Sequence, residues 1–225
     1  MSNAQLGAVA LGAGAALVAS PYLAQLTLTV PDRANSRWWR GGSTTRSRWI
    51  ATAATSVALG MLSGRVAGWS WLLPAWLVLA AACAPLVLID VEHHRLPDRL
   101  VFAAAAGCSA LLALAGALDD DWDRLLRCVE GGAVVFAVFF VMAMSAPFGF
   151  GDVKLGAVLA ACLAWLGWGY VLYGILGGFV LATIVSAPLL ILRRASMKSF
   201  IPFGPAMIFA AFLVAAFDLA PSSLR

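Results

Sequence analysis

Asp90 and Asp152 stand at the edges of long apolar runs, where an ionisable side chain is costly and reads by default as functional. Asp90 opens the segment Asp90-Val91-Glu92-His93-His94-Arg95-Leu96-Pro97-Asp98-Arg99-Leu100, and Asp152 belongs to Gly149-Phe150-Gly151-Asp152-Val153-Lys154-Leu155. Two carboxyl groups held close together cannot both ionise easily, so such a pair shares a proton. The ionised member takes a proton from water while the protonated member polarises a carbonyl, which is the chemistry of amide hydrolysis. The alternative is that each aspartate caps a helix or sits at the level of lipid headgroups. Spacing alone leaves both readings open.

The neighbours of the two aspartates divide in the same way. Gly149 and Gly151 allow backbone conformations closed to other residues and so can bring Asp152 near a bound chain. Lys154 lies one turn further on, where it supports an ionised Asp152, meets an acidic group of a substrate, or simply anchors the helix end. Asp98 follows Pro97 and precedes an apolar run, an N-cap position. Glu92, His93 and His94 are metal-ligand types, but consecutive residues rarely aim at one ion, and these are the only 2 histidines. A solvated loop is the preferred reading, with no metal. Cys83, Cys108, Cys128 and Cys162 stand far apart with no C-x-x-C spacing, so they read as small buried apolar residues rather than a zinc site.

The elements that must position these residues follow from composition. Of the 225 residues 62% are hydrophobic and 12% charged, and the mean hydropathy is +0.91. A soluble domain is about 45–50% apolar and about a quarter charged. Water cannot solvate a surface this poor in charge, so the chain is predicted to be an all-α, polytopic membrane protein forming a single domain over residues 1–225. A net charge of +4 is too small to point to nucleic acid. About 20 apolar residues cross a bilayer, and eight candidate spans result: Leu6–Val30, Ile50–Gly64, Trp69–Ile89, Leu100–Leu118, Gly131–Phe148, Val153–Gly167, Tyr170–Leu192 and Phe203–Leu219. The second and sixth are short. The N-terminus lacks a basic n-region, so the first run is predicted to be a retained span.

Two spans separate Asp90 from Asp152, which puts both carboxylates on the same side of the membrane. If the basic loop 31–48 is cytoplasmic, eleven Lys and Arg residues fall on that side (Arg33, Arg37, Arg40, Arg46, Arg48, Arg95, Arg99, Lys154, Arg193, Arg194, Lys198) and four on the other (Arg65, Arg124, Arg127, Arg225). That bias sets the motif loops in the cytoplasm and both termini outside. The arginines of loop 31–48 are suited to anionic lipid headgroups, and anchoring alone explains them as well.

The Asp90–Leu100 segment resembles the D-x6-P-[DN]-x-L signature of type IV prepilin peptidases, and Gly149–Leu155 resembles their G-x-G-D-x-K-L signature. Pro202-Phe203-Gly204-Pro205 is similar to the P-F-G-P element that opens their last helix. The resemblance covers about residues 80–212. It implies that Asp90 and Asp152 are the catalytic pair of a membrane aspartic endopeptidase that needs no cofactor. Gly149, Gly151, Lys154, Pro97, Asp98, Pro202, Phe203, Gly204 and Pro205 would shape the site or hold substrate. The implied substrates are type IV prepilins and pilin-like secretion subunits, cut at the cytoplasmic face of a bacterial or archaeal plasma membrane just before their apolar helix. Bifunctional members carry paired C-x-x-C motifs in a large first loop, linked to N-methylation; loop 31–48 has no cysteine, so a peptidase-only form is expected. The rivals are another G-x-G-D intramembrane protease such as a signal-peptide peptidase relative, a small proton-coupled transporter, and a non-catalytic assembly protein. The D-x6-P-D segment speaks against the first, and the position of both carboxylates at helix ends against the second.

Overall fold

The computed structural model describes residues 2–31, 37–40, 43–145, 148–191 and 203–220. Eight α-helices run through them: α1 (Asn3–Thr29), α2 (Arg46–Ala67), α3 (Leu73–His93), α4 (Asp98–Asp119), α5 (Trp122–Ser145), α6 (Phe150–Ala164), α7 (Trp168–Ile191) and α8 (Gly204–Ala216), with one 3-10 turn at Trp38–Arg40. No strand occurs among the described residues. All eight predicted apolar runs are helical, and six of the helices are long and apolar enough to cross a membrane. The chain is thus an all-α, multi-pass membrane protein.

Several boundaries differ from the hydropathy reading. The second helix is not short: it starts at Arg46, where the Thr45 hydroxyl accepts the Arg48 N–H. Arg46 and Arg48 therefore belong to α2 and not to loop 31–48, because long basic side chains reach water from within a helix end. Helix α5 starts nine residues before the predicted Gly131, in a turn that contains Asp123, Arg124 and Arg127. That charge is tolerated because Arg127 donates to the carbonyls of Ala164 (2.7 Å) and Trp165 (3.4 Å) at the end of α6.

The short helices are α6 and α8, with 15 and 13 residues. They bury nine and ten of those residues respectively, whereas α5 buries only four of its 24. Being wrapped by protein, they need not match the bilayer. Helix α3 is the hub. It buries twelve of 21 residues and packs against α1, α2, α4 and α8, with Trp76 set edge-on to Phe212 of α8 at 5.1 Å. Around this centre α1 lies on α2, α5 on α6 and α7 on α8. Side chains that face away from the bundle are apolar, as lipid requires: Val18, Met144, Val141 and Ile184 are all exposed.

Glycine sets the closest approach. A methyl group on Gly12 would meet the Gly60 carbonyl oxygen at 2.1 Å, and one on Gly64 the Ala8 oxygen at 2.3 Å. The backbones of α1 and α2 therefore touch directly, the contact that small residues permit between membrane helices.

Candidate active site

Helix α3 carries Asp90 one turn before its end. Ile89 is fully buried beside it, and Asp90 itself is only 5% exposed. A buried carboxylate needs a partner, and the partner comes from a distant part of the chain. The Gly204 N–H, at the start of α8, donates to Asp90 Oδ2 at 3.1 Å. Pro205 follows in the first turn of α8, where its missing N–H is no loss. Gly204 is required here by space: a methyl group on it would stand 2.9 Å from Asp90 Oδ2.

Asp152 lies in the first turn of α6, whose N-cap is Gly149. The Asp152 N–H donates to the Gly149 carbonyl at 3.0 Å. Neither Gly149 (φ −71°) nor Gly151 has positive φ, so the expected conformational freedom is not what the glycines supply. They supply room. A methyl on Gly149 would come within 2.8 Å of Asp152 Oδ2, and one on Gly151 within 2.7 Å of Leu96 Cβ. Leu96 lies against both Gly151, the neighbour of Asp152, and Gly204, whose N–H holds Asp90. The two motifs thus meet at the ends of helices on one side of the bundle.

Asp98 is not a cap. Pro97 occupies the N-cap of α4 and Asp98 is its first helical residue, with no side-chain capping bond. The Asp98 carboxylate instead accepts from Lys154 Nζ at 2.7 Å. Lys154 also stands over the Phe102 ring at 5.1 Å, so its charge goes to α4. Glu92 and His93 lie in the last turn of α3 rather than in a loop, and His94 ends the helix in the left-handed region (φ 51°). Glu92 pairs with Arg48 of α2 at 2.8 Å, and Arg48 also donates to the Thr27 hydroxyl. Among the described residues no three His, Cys, Asp or Glu side chains are gathered so as to hold a metal ion.

Apolar residues frame the pair. Phe148 and Phe203, each one residue before a site glycine, meet edge-on at 5.5 Å, and Phe139 and Phe179 back them. Phe203 was expected at the site; Phe148 was not, although its place before Gly149 was visible. Leu96 had no role in the sequence reading. Its one signal is that it is apolar between His93-His94-Arg95 and Pro97-Asp98. Pro202 lies outside the described residues.

Two carboxyl groups at helix ends, one buried and hydrogen-bonded and one in a helix's first turn, are groups that can take and give a proton if a water and a peptide carbonyl come between them. Residues 75–187 match the model of the type IV leader peptidase family, a stretch that includes Asp90 and Asp152. The prepilin leader peptidase/N-methyltransferase of Stutzerimonas stutzeri is 31% identical over 160 residues, covering 68% of this chain and 54% of that protein. Its counterpart in Pseudomonas aeruginosa is 33% identical over 165 residues, covering 70% and 55%. That of Aeromonas hydrophila is 29% identical over 167 residues, covering 73% and 55%. The chain spans about half the length of these curated relatives. No solved structure matches it. Two motifs in order and a family match over half of the sequence give one conclusion: the chain belongs to the type IV leader peptidase family.

Proposed function

We propose that this protein is a membrane-embedded aspartic endopeptidase that removes leader peptides from type IV prepilins or pilin-like secretion subunits. The observation that carries the reading is the convergence of two motifs 62 positions apart, where Gly151 beside Asp152 and Gly204, whose N–H is bonded to Asp90, both lie against Leu96. Asp90 and Asp152 share a proton and activate water. Gly149 and Gly151 keep space clear beside Asp152, and Phe203, Gly204 and Pro205 present the N–H that orients Asp90. Pro97 and Asp98 start α4, with Lys154 holding it. The whole of 1–225 acts as one membrane domain, and the bias of basic residues sets the site toward the cytoplasm. A proton relay would place its carboxylates deep in the spans, whereas these lie within a turn of helix ends.

The test is direct. The purified protein, reconstituted into vesicles with a prepilin that carries its leader, is expected to convert precursor to mature form on a gel, with the bond broken just before the apolar helix. An intact precursor after prolonged incubation with well-inserted protein would overturn the reading.

A further inference from the structure

The connection between α3 and α4 carries Leu96, whose side chain lies against both carboxyl-bearing parts of the molecule. A methyl group on Gly151 would reach Leu96 Cβ at 2.7 Å, Cδ1 at 3.4 Å and Cγ at 3.5 Å; one on Gly204 would reach Leu96 Cδ1 at 3.4 Å. Leu96 therefore touches the first turn of α6 one residue before Asp152, and the start of α8 at the residue whose N–H holds Asp90. On its other side it lines a cleft of about 650 Å³ with Ile89, His93, Arg95 and Pro97.

Leu96 is also held in place. The His94 N–H donates to the Asp90 carbonyl at 2.8 Å, so the loop leaves α3 in a fixed direction through a left-handed residue. Pro97 fixes φ at the other end. Asp98 is then tied to Lys154, two residues beyond Asp152 on α6. A closed circuit results, from Asp90 through His94 and Leu96 to Gly204 and back to Asp90, and Gly151, next to Asp152, leans on it at Leu96. A side chain wedged in such a circuit transmits its own width to the groups on either side, because packed interiors do not compress.

From this circuit we infer that Leu96 is a positioning residue whose side chain sets the separation of the Asp90 and Asp152 carboxyl groups. This rests on the peptidase reading for its catalytic consequence, but the spacing itself is measurable without catalysis. A loss of about one ångström in placement costs about a hundredfold in rate. Shortening the wedge by Leu96→Ala is therefore expected to lower kcat for prepilin cleavage by about that factor, with KM near the wild-type value. Leu96→Met keeps volume and reach and is expected to retain most of kcat, since volume-conserving apolar swaps are well tolerated.

The deciding experiment reads distance. In the full-length protein in vesicles, Asp90→Cys and Asp152→Cys are combined and crosslinked with bifunctional methanethiosulfonates of graded length; the native cysteines are all buried. The preferred linker length is expected to shift when Leu96→Ala is added and to stay unchanged with Leu96→Met. An unchanged preference with Leu96→Ala overturns the inference, whatever the cleavage assay gives, and so does a full wild-type kcat for Leu96→Ala. A shifted preference, beside a protein with both aspartates intact that cleaves no prepilin, upholds the spacing role and removes the peptidase reading instead.

Discussion

The ammonium group of Lys154 lies 2.7 Å from the carboxylate of Asp98, and this single contact ties the first turn of α6 to the start of α4. Of the roles open to Lys154 in the sequence, the structure shows the one that was not considered, a bond between helices. The pair is partly exposed, with Asp98 more open than Lys154, so it is worth about 0–1 kcal/mol.

Lys154→Ala and Asp98→Ala are therefore expected to be non-additive. Each single change lowers cleavage less than about tenfold, a barrier change of about 1.4 kcal/mol, and the double change is no worse than the more harmful single. Thermal unfolding in detergent and cleavage rates on the four proteins check this. Complete loss in Lys154→Ala beside full activity in Asp98→Ala would show that Lys154 serves some other group.

Asp90→Asn and Asp152→Asn are each expected to abolish leader cleavage while leaving the protein inserted. An amide can neither take the proton from water nor share one, and general acid–base catalysis supplies about 10²–10⁴-fold for each group. Co-expression with a prepilin and separation of precursor from mature bands gives the answer. Full processing by either variant removes that aspartate from the mechanism.

Two glycine substitutions separate stability from catalysis. Gly60→Ala forces a methyl to 2.4 Å from the Gly12 carbonyl oxygen, where both partners are backbone. It is expected to cost about 1–3 kcal/mol of stability, as overpacking does, with kcat little changed in the folded fraction. Gly149→Ala crowds Asp152 Oδ2 instead, so its loss is expected in kcat and not in the unfolding midpoint. Unfolding curves and single-turnover rates on the two variants distinguish the cases.

Replacing Glu92, His93 and His94 together by alanine is expected to lower activity less than about tenfold. The change breaks the Arg48–Glu92 bridge between α2 and α3 but leaves both carboxyl groups and Gly204. Chelator treatment is expected to leave cleavage intact. A dead but well-inserted triple variant, or silencing by EDTA with recovery on adding zinc, would replace the aspartic mechanism with a metal-dependent one.

The cysteine-free loop 31–48 leads to a last expectation. After reconstitution with S-adenosylmethionine, the mass of the product N-terminus is expected to show no added methyl. A methyl gained in the presence of this protein alone would contradict it.

The helices were legible because lipid demands long apolar runs, and the two aspartates because charge at the edge of such runs is conspicuous. What hydropathy misread were helix ends that carry charge. The start of α5 is polar yet helical because Arg127 finds carbonyls 37 residues away, and α2 begins at Arg46 because Thr45 caps it. The same limit applied at the site. Asp98 looked like a cap since a cap is local, whereas its real partner is 56 residues distant. The bond from Gly204 to Asp90 spans 114 residues, and only the three-dimensional packing of α8 on α3 reveals it.

The brevity of α6 and α8 decides which surroundings they must fit. At 1.5 Å per residue they rise about 22 and 20 Å, against a hydrocarbon layer of about 30 Å. Their far ends are moored on the side of the bundle away from Asp90 and Asp152, by Arg127 on the Ala164 carbonyl and by the hydrogen bond from Tyr170 to Asp218. They fall about 8–10 Å short of that layer, and since nine and ten of their residues are covered by protein, the mismatch is borne by neighbouring helices and not by lipid.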